Sequence, residues 1–469
     1  MVQSRSYLWL AIASCVFMTG CQPESTIEPN SFSKPAPEMA DEISEGEEIL
    51  LDSNFRTQKQ AGADAYRQKD YKQAVSLWES TLEQQRNDPE TAIYLNNARI
   101  GEDLAYTIAV PVPGDSEINA AQEILRGAAQ AQFQINSSGG INGKPIKLIL
   151  ANDRNNPEVA QKLALEFSQN EDILGVIGHF SSNVTLEAAR VYQAEELVVI
   201  SPTSSSVALS NVGSYVFRTV SSDCMSGNAL ATYLVESMDL DNVAVLFNSA
   251  SSYSTSMRDV FETSLEKQDA TLVAEFNFSQ PNFNIVNALS EIEQTQAEAL
   301  VFFPNSSGMN ALDTLDKTLL IAQMNKGKLA LFGGDSLYKP RTLQLGQENV
   351  TDMVLVVPWD VKNTDPGFTN LATSLWGGKV NWRSALAYDA TMAMGAAIKE
   401  RATREGIQSA LLDPDFAAEG ASGEISFLPT GDRAGKVQLV KIEAGDNSGF
   451  GYDFVPIADF EYDLPETCR

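Results

Sequence analysis

Residues 139–146, Gly139-Gly140-Ile141-Asn142-Gly143-Lys144-Pro145-Ile146, constrain the fold of this 469-residue chain more than any other stretch. They follow residues 129–136, AQAQFQIN, whose composition is that of a helix. The glycine pair predicts that the helix stops there, and the glycine and proline that follow predict a tight turn into an apolar strand. A helix that returns by a short turn to a buried strand is the repeating unit of a parallel sheet with crossover helices.

The same alternation continues on both sides of this turn. Strand candidates are 106–112, 146–151, 173–177, 197–200, 243–247, 299–303, 329–332 and 353–357, and helix candidates are 119–136, 157–169, 184–195, 255–267 and 309–325. So many strands and helices are too many for a single sheet. The sequence therefore predicts an α/β fold of two doubly wound, parallel-sheet lobes. Ligands of such sheets bind at the carboxyl ends of the strands.

Composition excludes several classes of function. The chain has 62 acidic against 33 basic residues, a formal charge of −29, and so acidic a surface argues against nucleic acid as a partner. One histidine and four cysteines argue against a metal site, and no phosphate-binding or dinucleotide motif occurs, so no cofactor is predicted. No nucleophile-base pair is apparent either, and we predict that the protein is not an enzyme.

The first residues have the pattern of an export signal. Arg5 precedes an apolar run over 7–18, and Met18-Thr19-Gly20-Cys21 places small residues before a cysteine. This resembles the signal of bacterial lipoproteins and predicts a signal peptide over 1–20 with a lipid anchor on Cys21. An ordinary secretory signal and a short hydrophobic anchor are the alternatives. Each of the three predicts a location outside the cytoplasm, in the periplasm or cell envelope.

Two short regions separate this signal from the main part of the chain. Residues 21–54 contain four prolines and nine acidic residues, which predicts a disordered tether. Residues 55–100 have alanines and aromatics at helical spacing and resemble one tetratricopeptide repeat with a following helix. A single repeat is not expected to be stable alone, so this helical segment either packs on the main domain or binds a protein partner.

Cys224 and Cys468 remain once Cys15 is lost with the signal peptide and Cys21 is lipidated. An oxidising compartment permits them to form a disulfide. The sequence alone cannot bring their Cα atoms within bonding range, so the pairing is a hypothesis.

A family resemblance joins these observations. The turn at 139–146 and the helix before it resemble periplasmic binding proteins of the leucine/isoleucine/valine type, over about residues 104–460. The resemblance implies the type I fold of that family, with a hinge of three chain crossings. Lobe 1 would then comprise 104–223 and 359–427, and lobe 2 would comprise 224–358 and 428–463. Further motifs that carry the resemblance are IGHFSS at 177–182, ISPTSS at 200–205, FRTVSSD at 217–223 and LAYDA at 386–390.

Two serine-rich stretches, at 181–182 and 203–205, follow predicted strands and precede predicted helices. Hydroxyls and free backbone N–H groups at such places bind a carboxylate well. The resemblance implies that Ser182 and Ser205 hold the α-carboxylate of an amino acid, and Thr203 lies in the same stretch. It also implies that Asp223 and Asp335 face the α-ammonium and that Tyr253 closes over the ligand from the other lobe. Taken singly, a serine or aspartate at such a place is more often a helix cap, and only the set of five residues in this order favours a binding site.

The side-chain pocket is less well determined. Asn305 stands where leucine-type binders often carry an aromatic residue, and Phe180 is predicted to line the cleft. His179 either lines the cleft too or is a hydrogen-bonded structural residue.

The sequence thus predicts a lipid-anchored solute-binding protein that captures an amino acid, neutral and branched-chain or a similar zwitterion, for an ABC permease. The alternative is a lipoprotein without a small ligand that acts by protein contact, such as an activator of peptidoglycan synthesis.

Overall fold

The computed structural model describes residues 39–51, 56–305, 307, 311–360, 366–458, 460, 462 and 465–468. The predicted signal peptide and lipidated Cys21 lie outside them. The strands are β1 (Ile43–Ser44), β2 (Tyr106–Val112), β3 (Ile146–Asn152), β4 (Ile173–Ile177), β5 (Val199–Ser201), β6 (Val216–Arg218), β7 (Asn242–Phe247), β8 (Thr271–Asn277), β9 (Ala299–Phe303), β10 (Ala330–Gly333), β11 (Val354–Val357), β12 (Ala418–Gly420), β13 (Gly423–Ile425), β14 (Gln438–Ala444) and β15 (Tyr452–Pro456). The helices are α1 (Arg56–Arg67), α2 (Tyr71–Gln84), α3 (Pro89–Ile100), α4 (Ile118–Ser137), α5 (Pro157–Gln169), α6 (Ser182–Ala194), α7 (Asp223–Thr232), α8 (Ser252–Lys267), α9 (Ile285–Ile292), α10 (Ala311–Asn325), α11 (Pro340–Gly346), α12 (Pro366–Trp376), α13 (Trp382–Glu400) and α14 (Arg404–Leu411).

The first lobe is built on a six-stranded sheet in the order β1-β3-β2-β4-β5-β6. Its strands run parallel except β1, which pairs antiparallel with β3. Strand β2 is central and is buried from Thr107 to Val112, as its apolar sequence requires. Helices α4 and α13 pack against each other beside this sheet.

The second lobe is built on a seven-stranded sheet in the order β15-β14-β11-β10-β9-β7-β8. Strands β7 to β11 are parallel, whereas β14 pairs antiparallel with both β11 and β15. Two parallel-dominated sheets with crossover helices confirm the predicted fold class. Strand β8 was not predicted, because as an edge strand it is nowhere fully buried and has no continuous apolar run.

The turn at 139–146 has the predicted role. Helix α4 ends at Ser137, and Gly139 and Gly140 follow with φ of 97° and 77°, where a side chain is unfavourable. The Gly140 amide donates to the Ile135 carbonyl at 3.0 Å and caps the helix. The Ile146 amide then donates to Asn136 Oδ1 at 2.8 Å, which fixes the start of β3 against the end of α4.

Residues 39–51 differ from the expected tether, because they are folded. Ile43 and Ser44 form strand β1 on the edge of the first sheet. The amides of Leu50 and Leu51 donate to Glu90 Oε1 at 2.7 Å and 3.0 Å, so this segment is also fixed to α3. Pairing with the edge of the sheet satisfies the backbone, which composition alone does not reveal.

The helical segment, α1 to α3, packs on the first lobe. Asn97 on α3 donates to the Leu148 carbonyl of β3 at 2.8 Å, and Gln132 on α4 donates to Asn97 Oδ1 at 2.9 Å. Its buried aromatics, Tyr66, Trp78 and Tyr94, belong to the same apolar core as the first lobe. The sequence left open whether this segment packs on the main domain or binds a protein partner. The structure shows that it packs on the main domain.

The chain crosses between the lobes three times, from β6 to α7, from β11 to α12 and from β13 to β14. Arg218 and Asp432 join the first and third crossings in a buried ion pair of 2.6 Å. Arg218 also donates to the Ser206 carbonyl at 2.7 Å. In the second lobe, Cys224 on α7 and Cys468 are joined by a disulfide. None of the described helices combines the length and the apolar character that a membrane crossing requires.

Candidate functional site

The turns after β4 and β5 lie side by side in the first lobe. The Ser206 amide donates to Ser182 Oγ at 3.4 Å, and Thr203 Oγ1 donates to the Phe180 carbonyl at 2.7 Å. Ser182 is the first residue of α6, so its hydroxyl lies at the positive end of that helix. The structure thus brings Phe180, Ser182 and Thr203 together at the carboxyl ends of two neighbouring strands.

Asp223 adjoins these turns at the start of α7. Its amide donates to the Ser205 carbonyl at 2.8 Å, and its side chain is almost completely buried, with 1% exposed. Among the described residues, neither carboxylate oxygen has a partner at hydrogen-bonding geometry, although the hydroxyls of Ser256 and Ser205 lie beside them. Burial raises the pKa of Asp223 to about 7, and the nearby hydroxyls only partly offset it. This acid is therefore costly to keep charged without a cationic partner.

The second lobe contributes Tyr253 and Asp335. Tyr253 is in the first turn of α8, and its hydroxyl accepts from the Ser336 amide at 3.4 Å, just after β10. A Cβ at Gly334 would lie 2.3 Å from that hydroxyl, so glycine is required for the approach. Burial raises the pKa of Asp335, and the Tyr253 hydroxyl next to it opposes the rise.

The two lobes touch across this region, so that the predicted residues share one cleft. The Val207 amide in the first lobe donates to Ser256 Oγ in the second at 3.0 Å. The Ser252 amide donates to Asn183 Oδ1 at 2.9 Å. Asp223 and Asp335 are close enough that the charge on Asp335 adds to the raised pKa of Asp223. Serine hydroxyls, the N-terminus of α6, two acids and the Tyr253 side chain thus border the same region between the lobes.

Asn305 lies at the rim of the cleft. Its Oδ1 accepts from Asn248 Nδ2 at 2.8 Å and from Thr314 Oγ1 at 2.6 Å, and its Nδ2 donates to the Ser307 carbonyl at 2.6 Å. It lines a cavity of about 270 Å³ that also includes Ser181. The amide of Asn305 is thus engaged by protein groups, and its role toward a ligand stays a prediction.

His179 is a structural residue, one of the two options that the sequence left open. Its ring is fully buried, with Nδ1 2.7 Å from Asp153 Oδ2 and Nε2 3.1 Å from the Tyr192 hydroxyl. Phe180, the next residue, faces the guanidinium of Arg383, whose Cζ lies 5.7 Å from the centre of the phenyl ring.

Three residues at or near the cleft were not predicted, namely Ser256, Lys339 and Arg383. Ser256 could have been found, because it lies three residues after Tyr253 and hence on the same face of α8. Arg383 had a weaker signal, as an arginine in the first turn of a helix that is otherwise mostly apolar. For Lys339, the spacing of residues in the sequence gave no signal.

The profile of the family described as periplasmic binding protein matches residues 107–447. The chain belongs to the periplasmic binding protein family. Membership implies an extracytoplasmic location.

Individual relatives agree with this family. A protein of Pseudomonas aeruginosa named amino acid binding protein is 28% identical over 201 residues, which are 43% of this chain and 53% of that protein. The Leu/Ile/Val-binding protein of Escherichia coli K12 is 27% identical over 183 residues, which are 39% of this chain and 49% of that protein. The chain therefore spans about half the length of these two relatives.

Solved periplasmic binding proteins have the same fold. A leucine binding protein from Thermotoga maritima has a TM-score of 0.64 at 20% identity, over 75% of this chain and 97% of that one. A solute binding protein from Rhodopseudomonas palustris, in complex with 4-hydroxybenzoate, has a TM-score of 0.66 at 14% identity, over 77% and 98%. The family and these neighbours are solute-binding proteins, not enzymes, so the comparisons do not favour the alternative of a lipoprotein without a small ligand.

Proposed function

We propose that this periplasmic binding protein captures a free amino acid between its lobes and delivers it to an ABC transporter. The proposal rests on Asp223, a buried carboxylate without a hydrogen-bond partner among the described residues, beside the hydroxyls of Ser205 and Ser256. A buried charge of this kind costs several kcal/mol unless an opposite charge reaches it. The α-ammonium of an amino acid is such a charge.

The two ends of an amino acid match the two sides of the cleft. Ser182 and Ser205, with the N-terminus of α6, bind the α-carboxylate through hydroxyls and backbone amides. Asp223 and Asp335 bind the α-ammonium, and charge-assisted hydrogen bonds of this type are the strong ones. Tyr253 covers the ligand and excludes water. No bond is made or broken, so the protein is a binding protein without catalysis.

Closure of the lobes around the three crossings retains the ligand. Interlobe contacts such as Val207 to Ser256 form only when the lobes meet, and a ligand that touches both lobes shifts the equilibrium toward that state. The names of the relatives, amino acid binding protein and Leu/Ile/Val-binding protein, support the ligand class. A lipid on Cys21 would hold the protein at the membrane, beside its permease.

Isothermal titration of the full chain against the twenty amino acids tests the proposal. We expect saturable binding of one chemical group of amino acids and its loss in Asp223→Asn, which keeps the shape and removes the charge. The matched control is Asp103→Asn, an exposed aspartate outside the cleft, which should bind as the unmodified protein does. Absence of binding to every amino acid by folded protein would refute the proposal.

A further inference from the structure

Arg383 is a buried cation without an ion-pair partner among the described residues. The residue is 8% exposed, and its Nε forms no hydrogen bond with any residue that the structure describes. The Arg383 guanidinium forms no ion pair with any described acidic residue. Its guanidinium instead lies over two rings, with Cζ 4.3 Å from the centre of Trp382 and 5.7 Å from that of Phe180. Trp382 Nε1 is likewise a buried donor without an acceptor there.

Arg383 borders the cleft already described. Phe180 is two residues before Ser182, in the turn that begins α6. Asp335 and Tyr253, which belong to the second lobe, are among the charged or titratable groups whose fields act on the guanidinium. The guanidinium is therefore near Phe180 in the first lobe and close enough to Asp335 in the second lobe for the two charges to interact.

A second cation, Lys339, is close enough to Arg383 for the two charges to interact. Lys339 is half-buried, and among described residues its Nζ forms neither a hydrogen bond nor an ion pair. Burial and the neighbouring charge of Arg383 lower the pKa of Lys339 to about 8. Two cations that repel each other in a partly buried space are unfavourable unless an anion enters between them.

The acids near this pair do not supply that anion. Glu123 forms an ion pair with Arg126 at 2.6 Å and accepts from the Ser384 hydroxyl. Glu117 is half-exposed, so water weakens its field. Asp335 forms no ion pair with Arg383 or Lys339 and faces Asp223 and Tyr253 as well.

We propose that the ligand is an acidic amino acid, whose side-chain carboxylate is bound by Arg383 with Lys339 in support. This inference rests on the proposed function and specifies its substrate class. The α-carboxylate and α-ammonium take the serine and aspartate groups, and the side chain extends past Phe180 to the guanidinium. Arginine can bind a carboxylate through two parallel hydrogen bonds, which distinguishes it from the neutral amide of the same shape.

Titration of the full chain with matched pairs of ligands tests this proposal. We expect L-glutamate or L-aspartate to bind about tenfold or more tightly than L-glutamine, L-asparagine and L-leucine, because a neutral side chain leaves the buried guanidinium unpaired. Arg383→Met should remove that preference, while Arg383→Lys should keep part of it. Lys339→Met, at a half-exposed position, should reduce the preference without affecting folding, and it serves if Arg383→Met is unstable.

The outcomes separate the two proposals. Tighter binding of leucine or of an amide than of either acid would overturn the acidic ligand and leave the proposed function standing. Binding of an acidic amino acid with an unchanged preference in both Arg383→Met and Lys339→Met would also overturn it. Failure of all amino acids to bind folded protein would overturn both.

Discussion

The helical segment and the cleft both bury charged side chains, but only the segment pairs them. In the segment, Lys59 is 1% exposed and forms ion pairs with Asp88, at 3.1 Å, and with Glu90. Glu90 also accepts the amides of Leu50 and Leu51. In the cleft, Asp223 and Arg383 are similarly buried, and neither has an ion-pair partner among the residues that the structure describes.

The buried charges of the segment and of the cleft have different roles. The attraction of Glu90 and Asp88 outweighs burial and raises the pKa of Lys59, so that cluster is complete without any further molecule. At Asp223, burial prevails and raises the pKa of the acid. A buried charge that the protein satisfies holds structure together, whereas one that it leaves unsatisfied lowers stability until a ligand binds.

The largest effect is expected in the segment. Lys59→Met removes the cation from two buried acids and should lower the free energy of unfolding by about 3–5 kcal/mol. Urea unfolding followed by tryptophan fluorescence measures this, because Trp78 Nε1 donates to the Lys59 carbonyl at 3.2 Å. Ligand affinity should remain unchanged in the fraction that is folded. A loss below about 1 kcal/mol would show that this cluster does not support the segment.

Substitution of two buried aspartates, one paired and one unpaired, should change the free energy of unfolding in opposite directions. Asp389 is buried and paired, since it accepts from the Ala421 amide at 2.6 Å and lies 2.9 Å from Arg433 Nη1. Asp389→Asn should therefore destabilise the protein by about 3 kcal/mol, whereas Asp223→Asn should stabilise the ligand-free protein by about 2 kcal/mol at pH 8. Urea unfolding of both variants measures the two changes. Destabilisation by both substitutions would mean that Asp223 has a structural partner.

The fold and much of the site could be predicted because the evidence is local in sequence. The turn at 139–146 shows a helix stop and a strand start within eight residues, and the serines after β4 and β5 are placed by the strands that precede them. Strands β14 and β15 were not predicted, since they join the second sheet only after the chain returns from the first lobe.

The cations of the cleft could not be predicted for a related reason. Arg383 and Lys339 belong to different lobes and meet only because the chain crosses between them. Whether a charged residue is paired depends on distances between elements that are remote in sequence. A lysine such as Lys59 and an arginine such as Arg383 look alike in the sequence, although Lys59 forms ion pairs and Arg383 forms none with the residues that the structure describes.

The pH dependence of the ligand-free protein should reflect the unpaired acid. Asp223 has an ordinary pKa of 3.8 and a folded value of about 7, so the folded state binds its proton more tightly. Its contribution to stability therefore falls as pH rises from about 4 to 7 and is constant above that range.

The affinity for an amino acid should change in the opposite direction, rising about tenfold or more between pH 5.5 and 7.5 as the Asp223 carboxylate forms. Titrations across this range measure it, and Asp223→Asn, if residual binding remains, should flatten the profile. A decrease in affinity over the same range would contradict the role of Asp223.

The smallest effect is expected at an exposed ion pair of the same helical segment. Lys69 Nζ lies 2.9 Å from Glu102 Oε1, but the two side chains are 72% and 68% exposed. Water and salt screen such a pair, and holding two long side chains in one place costs entropy, so little net stability results. Lys69→Met should leave the melting temperature and ligand affinity unchanged within experimental error, in contrast to Lys59→Met ten residues earlier. An equal loss of stability in Lys59→Met and Lys69→Met would show that these lysines do not stabilise the segment through buried charge. The contrast between paired charges in the segment and unpaired charges in the cleft would then not hold.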